Sequence, residues 1–259
     1  MPALLTPPWT PPQESQQLDR QHPLAAQLAG CWLFTERGGT SVRDLAGRIG
    51  PMTLPSAVPW GQYGQLGAVP AFLDISSYAT ISYTTSASFT IEVWFWRVGN
   101  PNTFGTLLGD LSGNNWLGDH NLNLEFDGTG GSYGVGTFTN GAWSHCVVSQ
   151  PGASGSTLYL NATTSASSIV AIPAGTLMQY VGSDTFADNL NGAIGLLRIW
   201  DGRALTAGEV AELYRDPFGM LTPVLPRRFW LRPPASAGAA FQAAPPRIVG
   251  QALNRAASF

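Results

Sequence analysis

The 259 residues contain no lysine; all 13 basic residues are arginine. Charge of either sign is scarce, at 11% of residues, where an ordinary globular domain carries ~25%. The net charge of −3 comes without a basic stripe, which excludes the electrostatic footprint of a nucleic-acid binder. Cysteine is limited to Cys31 and Cys146. They are far apart, outside any CxxC or His/Cys cluster, so neither a zinc site nor a dithiol redox motif is indicated. Each falls inside an apparent strand, so buried free thiols are expected. No apolar run approaches the ~18 residues that would span a bilayer. The first residues, MPALLTPPWTPPQESQQ, lack the basic and apolar regions of a secretory leader. HExxH and phosphate-loop patterns are missing as well. The absence of lysine itself has two readings. One is a base-composition bias in the coding sequence; the other is arginine's advantage in planar, multi-donor contacts at interfaces.

Turn formers are abundant, with 30 glycines and 20 prolines, alongside 44% hydrophobic and 11% aromatic residues. That combination reads as many short strands with tight connections. The length suits one all-β domain of ~200–250 residues with tails.

The alternation supports this. After a short helical turn in His22–Ala29, Gly30–Glu36 reads as a strand with Trp32 and Phe34 on one face. The turn Arg37-Gly38-Gly39 leads to short segments Val42–Leu45 and Ile49–Leu54. Tyr78–Tyr83 alternates. Phe89–Arg97 is the clearest strand: Phe89, Ile91, Val93, Phe95 and Arg97 share a core face, and Thr90, Glu92, Trp94 and Trp96 share a half-covered one. Thr106–Gly109, Leu122–Phe126, Ser132–Phe138, Trp143–Ser149, Ser156–Asn161, Ile169–Ile172, Met178–Val181 and Gly192–Trp200 complete the set. Between Gly109 and His120 lies a polar loop carrying Trp116 as an exposed aromatic. Thr206-Ala207-Gly208-Glu209 is a capping box opening one helix, Ala207–Arg215, which Asp216-Pro217 ends.

Three parts follow: an N-terminal arm over 1–21, a sandwich over 22–221 and a C-terminal arm over 222–259. Pro2, Pro7, Pro8, Pro11 and Pro12 favour extended chain around Trp9. Beyond 222, prolines break any element while Phe229, Trp230, Phe241 and Phe259 keep the segment apolar, unlike the polar tails of disordered chains. These aromatics are the expected contact points of both arms.

Several segments together resemble the concanavalin A-like lectin/glucanase superfamily, in its laminin-G-like branch. Leu28–Glu36 with Val42-Arg43-Asp44-Leu45-Ala46-Gly47 is similar to that branch's opening strand and turn. Phe89–Phe95 is similar to its central strand. Trp143–Val148 and Thr157–Asn161 resemble two adjacent strands, and Gly192–Trp200 with Arg203–Thr206, Glu209 and Val210 resembles its closing strand and helix. The resemblance covers roughly 24–218 and implies an all-β jelly-roll sandwich with one short C-terminal helix and extended arms. It leaves function open, because this fold hosts sugar binding, adhesion and architecture alike.

The resemblance also raises two ligand questions. Ca²⁺ is the cofactor it suggests, with Asp110, Asp119, Asp184 and Asp188 as the candidate oxygen donors. A glycan would be met by Trp116 with Asn114, Asn115 and Asp119. The carboxylates of a glucanase are not matched: Glu125 and Asp127 alternate but lack a third partner, and Glu92 stands among aromatics, so no enzyme is expected. Finally, Tyr214–Leu221 and its basic-aromatic continuation resemble structural proteins of tailed phages. The function this implies is a non-catalytic virion protein on the capsid surface, a decoration or cementing protein. Its arms would bind sister subunits, as a trimer or another closed oligomer, or the major capsid protein. The alternative is a lectin-like adsorption module that binds carbohydrate.

Overall fold

Period-two alternation is carried into eighteen strands among the described residues of the computed structural model, which are 16–55, 58–74, 76–99, 104–183 and 188–223. In chain order these are β1 (Gln16–Leu18), β2 (Leu28–Trp32), β3 (Ser41–Val42), β4 (Met52–Thr53), β5 (Trp60–Gln62), β6 (Ala68–Phe72), β7 (Ala79–Thr84), β8 (Phe89–Arg97) and β9 (Phe104–Asp110). Then come β10 (Trp116–His120), β11 (Asn123–Gly128), β12 (Gly131–Thr137), β13 (Trp143–Gly152), β14 (Gly155–Leu160), β15 (Thr164–Ser168), β16 (Leu177–Val181), β17 (Gly192–Asp201) and β18 (Leu221–Pro223). The helix α1 is Ala207–Arg215, opened by the expected capping box: Glu209 N donates to Thr206 Oγ1, and Thr206 N donates to Glu209 Oε2.

Two antiparallel sheets stack. One runs β15-β14-β13-β8-β17-β6-β5, with β2 also paired to β17; the other runs β12-β11-β10-β9-β16-β7-β4-β3. Their facing sides form the core, including Trp32, Phe72, Phe89, Ile91, Val93, Phe95, Leu108, Leu117, Phe126 and Ile199. Burying each such side chain contributes about 1.5–3 kcal/mol against an exposed reference. A second apolar cluster lies on the outer side of the β8 sheet, where Trp94, Val147, Leu196 and Trp200 meet Val210 and Leu213 of α1. The expected half-covered face of β8 is therefore buried at Trp94 by the helix, and only partly buried at Trp96. Both cysteines are buried free thiols, with burial pushing the Cys31 thiol up to about 12 and Cys146 well above its ordinary range.

Some expected elements shift. Ile169–Ile172 is not a strand; the edge strand is the Ser/Thr-rich Thr164–Ser168, and Ala171 makes only an isolated bridge to Thr129. Asp127-Gly128 is not a turn, since β11 continues through Gly128, which pairs with Gly131. At the inner ends of both arms, Gln16–Leu18 pairs with Leu221–Pro223. The arm aromatics Trp9, Phe229, Trp230, Phe241 and Phe259 lie outside the described residues.

Several charged side chains trapped in this architecture meet partners. Asp44, in the motif after β3, takes four backbone N–H groups: Cys31 and Ala46 on Oδ1, Ile49 and Gly50 on Oδ2, at 2.9–3.2 Å. Glu92 is not alone among aromatics. It faces Arg198 across β17, at 3.4 Å from Nε, and His145 Nε2 lies 3.1 Å from its other oxygen. Arg198 also donates to the Pro217 carbonyl below α1. Arg97, on the core face of β8, crosses between the sheets to an ion pair with Asp119 of β10, both fully enclosed. Deleting one partner of such a pair strands the other charge.

Two outcomes follow. Asp119→Ala lowers unfolding stability by about 3–5 kcal/mol in urea denaturation. Burial raises the Glu92 carboxyl, but Arg198 and the His145 bond outweigh it and hold the group below the ordinary value of 4.5. A depressed folded pKa stabilises above the unfolded value and loses that contribution as pH falls through the folded one. Denaturation curves collected from pH 7 to 3 should lose stability below pH 4.5, and Glu92→Gln should flatten that loss while costing stability at pH 7.

Candidate ligand-binding face

The β9–β10 and β10–β11 hairpins bring alternate side chains to the outer side of the second sheet. Trp116 lies opposite Asp127 and Gly109, Gly118 opposite Glu125 and Thr106, and His120 opposite Asn123 and Phe104. A bulge at Leu117/Gly118 draws the chains together there. A Cβ on Gly118 would stand 2.3 Å from the Gly105 carbonyl oxygen, so only glycine fits and the middle of the face lacks a side chain.

Around this gap the rings gather. Phe104 stacks on His120 with centroids 4.1 Å apart and planes 15° from parallel, and meets Trp116 edge-on at 6.1 Å. His120 Nδ1 is 3.3 Å from Glu125 Oε1, with side-chain exposures of 35% and 18%. Burial raises the Asp127 carboxyl, opposed by bonds from the Gly128 amide and the Trp116 indole. The face thus presents flat apolar rings, an imidazole and two carboxylates on three adjacent strands. Rings of this kind cover the C–H face of a sugar, and the carboxylates accept from its hydroxyls.

The sequence-based candidates distribute differently. Trp116 is not an exposed loop residue: it starts β10, is 9% exposed, and gives its N–H to Asp127. Asp119 points inward to Arg97, which removes it from both the glycan and the calcium sets. Asn114 is exposed, while Asn115 donates from Nδ2 to Asp110 Oδ2 at 2.6 Å. Asp110 also takes Ser112 N and Oγ, so its oxygens fasten the 111–115 turn and are not free for a cation. Asp188 is half-buried, its carbonyl near the Thr106 amide, and Asp184 lies outside the described residues. Among the described residues no group of three or more His, Cys, Asp or Glu could hold a metal. Phe104 and His120 escaped the sequence reading. Their signal was the alternation Trp116, Gly118, His120, which becomes visible once Trp116–His120 is taken as strand.

Two stacked antiparallel sheets closed by one helix define a jelly-roll sandwich, and the comparisons agree. The model of the concanavalin A-like lectin/glucanases superfamily matches residues 73–211, more than half of the chain. The chain belongs to this superfamily, as its laminin-G-like motifs indicated. A comparison with characterised protein sequences finds no match. Among solved structures, domain 4 of AbnA, an extracellular arabinanase from Geobacillus stearothermophilus, in complex with arabinotriose, is similar at 19% identity and a TM-score of 0.59; the likeness covers 73% of this chain and 98% of that one. Trypanosoma rangeli sialidase is similar at 14% identity and 0.58, over 75% of this chain and 33% of its own. The binding domain of Paraclostridial Mosquitocidal Protein 1 follows at 16% and 0.56, over 76% and 53%. This chain therefore spans about a third of the sialidase and about half of the toxin structure. These likenesses establish the shared fold.

The burial pattern separates framework from face. Trp116→Ala should destabilise the protein by about 3–5 kcal/mol, as for buried tryptophans. His120→Ala should stay within about 0.5 kcal/mol of the parent. Thermal and urea midpoints of the two variants check this.

Proposed function

We propose that this chain is a non-catalytic, lectin-like module that binds carbohydrate on the outer face of β9–β11. The observation that carries the reading is the stacked Phe104–His120 pair beside Glu125, held open by the obligatory Gly118. Phe104 and His120 would take the apolar side of a pyranose or furanose ring. Glu125 and Asn123 would take its hydroxyls, while Trp116 and Asp127 brace the platform. The arabinotriose complex of the AbnA domain supports the reading, because the same fold there accompanies an oligosaccharide.

A second reading keeps the arms at the centre. The pairing of Gln16 with Pro223 and of Leu18 with Leu221 brings the inner ends of both arms to one place on the sandwich. A bipartite apolar tether leaving from one point suits a phage virion structural protein: a capsid decoration protein whose arms hold sister subunits or the major capsid protein while the sandwich faces outward.

For the first reading, calorimetric titration begins with arabinotriose and extends to a glycan array. Binding should weaken more than tenfold in Phe104→Ala and in His120→Ala, with folding unchanged, and the bound glycan should be recovered intact. Hydrolysis that Glu125→Gln abolishes would replace this reading with an enzymatic one. For the second, light scattering compares the full chain with one ending at Pro223. The arm reading requires the shortened chain to assemble to a lower order, and equal masses remove it.

A further inference from the structure

Sheet edges expose unpaired backbone groups, and proteins guard them with short strands, charges, proline or bulges. The two sides of this sandwich differ in that respect. On one side the edges are β12 and β15, seven and five residues long, which lie close to one another across the sandwich. Away from that side the edges are β3 and β5, two and three residues long, and β2, five residues long and buried throughout. Neither β12 (GSYGVGT) nor β15 (TSASS) contains a charge or a proline. The neutrality extends further: residues 128–183 contain no Asp, Glu, Lys or Arg. Those residues include all of β12 to β16. Gly131, Ser132, Gly134, Gly136, Thr137, Thr164, Ser165 and Ser167 are exposed along the two edges. Ile169, just past β15, is 78% exposed, and its carbonyl oxygen lies 3.9 Å from a Cβ placed on Gly130 ahead of β12. An apolar side chain thus stands where the two edges converge.

We propose that the β12/β15 side is a self-association surface whose occupant is the same side of a second copy of this chain. An uncharged edge is complementary to itself, because bringing it against its twin creates no like-charge contact. A closed dimer needs one patch on both subunits. A twofold axis perpendicular to the sheets meets that need: it sets β15 against β15 and β12 against β12, each antiparallel, so both sheets continue across the boundary. The backbone supplies the hydrogen bonds of strand addition, and the two Ile169 side chains supply apolar contact. The surface uses no residue of either arm and lies on other strands than the Phe104–His120 pair.

The test uses the full chain. Ser165→Lys/Ser167→Lys places like charges across the twofold, and Ile169→Glu charges the contact at the convergence. All three positions are exposed, so folding should be kept, as checked by thermal midpoint. The parent should weigh at least a dimer in light scattering at micromolar concentration, and each variant should lose that association step. A second readout uses the burial of both native thiols. Single cysteines at Ser165, Ala166 and Ser167 report contact, and under mild oxidation at least one should give a disulfide-linked dimer, whereas Ser82→Cys on an exposed sheet position should not. A monomeric parent, edge variants of unchanged mass, or crosslinking no better than at Ser82 would each overturn the proposal. A loss of mass on removing the arms alone, with edge variants unchanged, assigns association to the arms instead.

Discussion

A sheet strip buried on both faces cannot carry a polar side chain without a partner, and the β8–β13–β17 strip is buried on both. Its inner side meets the second sheet and its outer side meets α1. The ionisable residues on its outer side are tied together. Glu92 faces Arg198 and His145 on the neighbouring strands, and Arg198 reaches the Pro217 carbonyl under the helix. Trp94 stacks on Tyr214 at 5.7 Å with planes 3° apart. The helix is thereby fixed to the sheet by charge as well as by apolar contact. A hydrophobic replacement of comparable shape could match its energy, but not its directionality.

The same constraint acts between the sheets. Arg97 lies on the core face of its strand, and an arginine there is tolerated because Asp119 arrives from the opposite sheet. That pair lies one residue from His120 and one from Gly118, so the core's electrostatics and the outer face share a strand. Inward positions of β10 hold the two sheets together, while outward positions build the candidate platform. The alternation that makes a strand amphipathic thus divides structural from binding duties residue by residue.

The glycan reading and the edge proposal use different parts of one economy of charge. The face around Phe104 retains carboxylates and an imidazole, which a sugar's hydroxyls can use. The edge side has none, which suits a surface meeting its own copy. Scarcity of charge in the whole chain, at 11%, is therefore not spread evenly, and its distribution carries more information than its total.

The sequence by itself determined the fold class, the order of the main strands and the capped helix. These rest on local physics: alternation sets strand faces, and Thr206 with Glu209 caps a helix using atoms three residues apart. It also determined that both thiols are buried. The tertiary structure alone decided which side chains meet. Trp116 looked exposed because its neighbours are polar, yet cross-strand register puts it over Gly109 and beside Asp127. Asp119 looked like a ligand because it sits among Asn and Asp, yet one step of the period-two alternation turns it inward to an arginine 22 positions away. His120 and Phe104 form a pair only through the β9–β10 register. Contacts of that kind depend on hairpin register and bulge position, which are set by packing across the whole sandwich and not by the residues nearby in the chain.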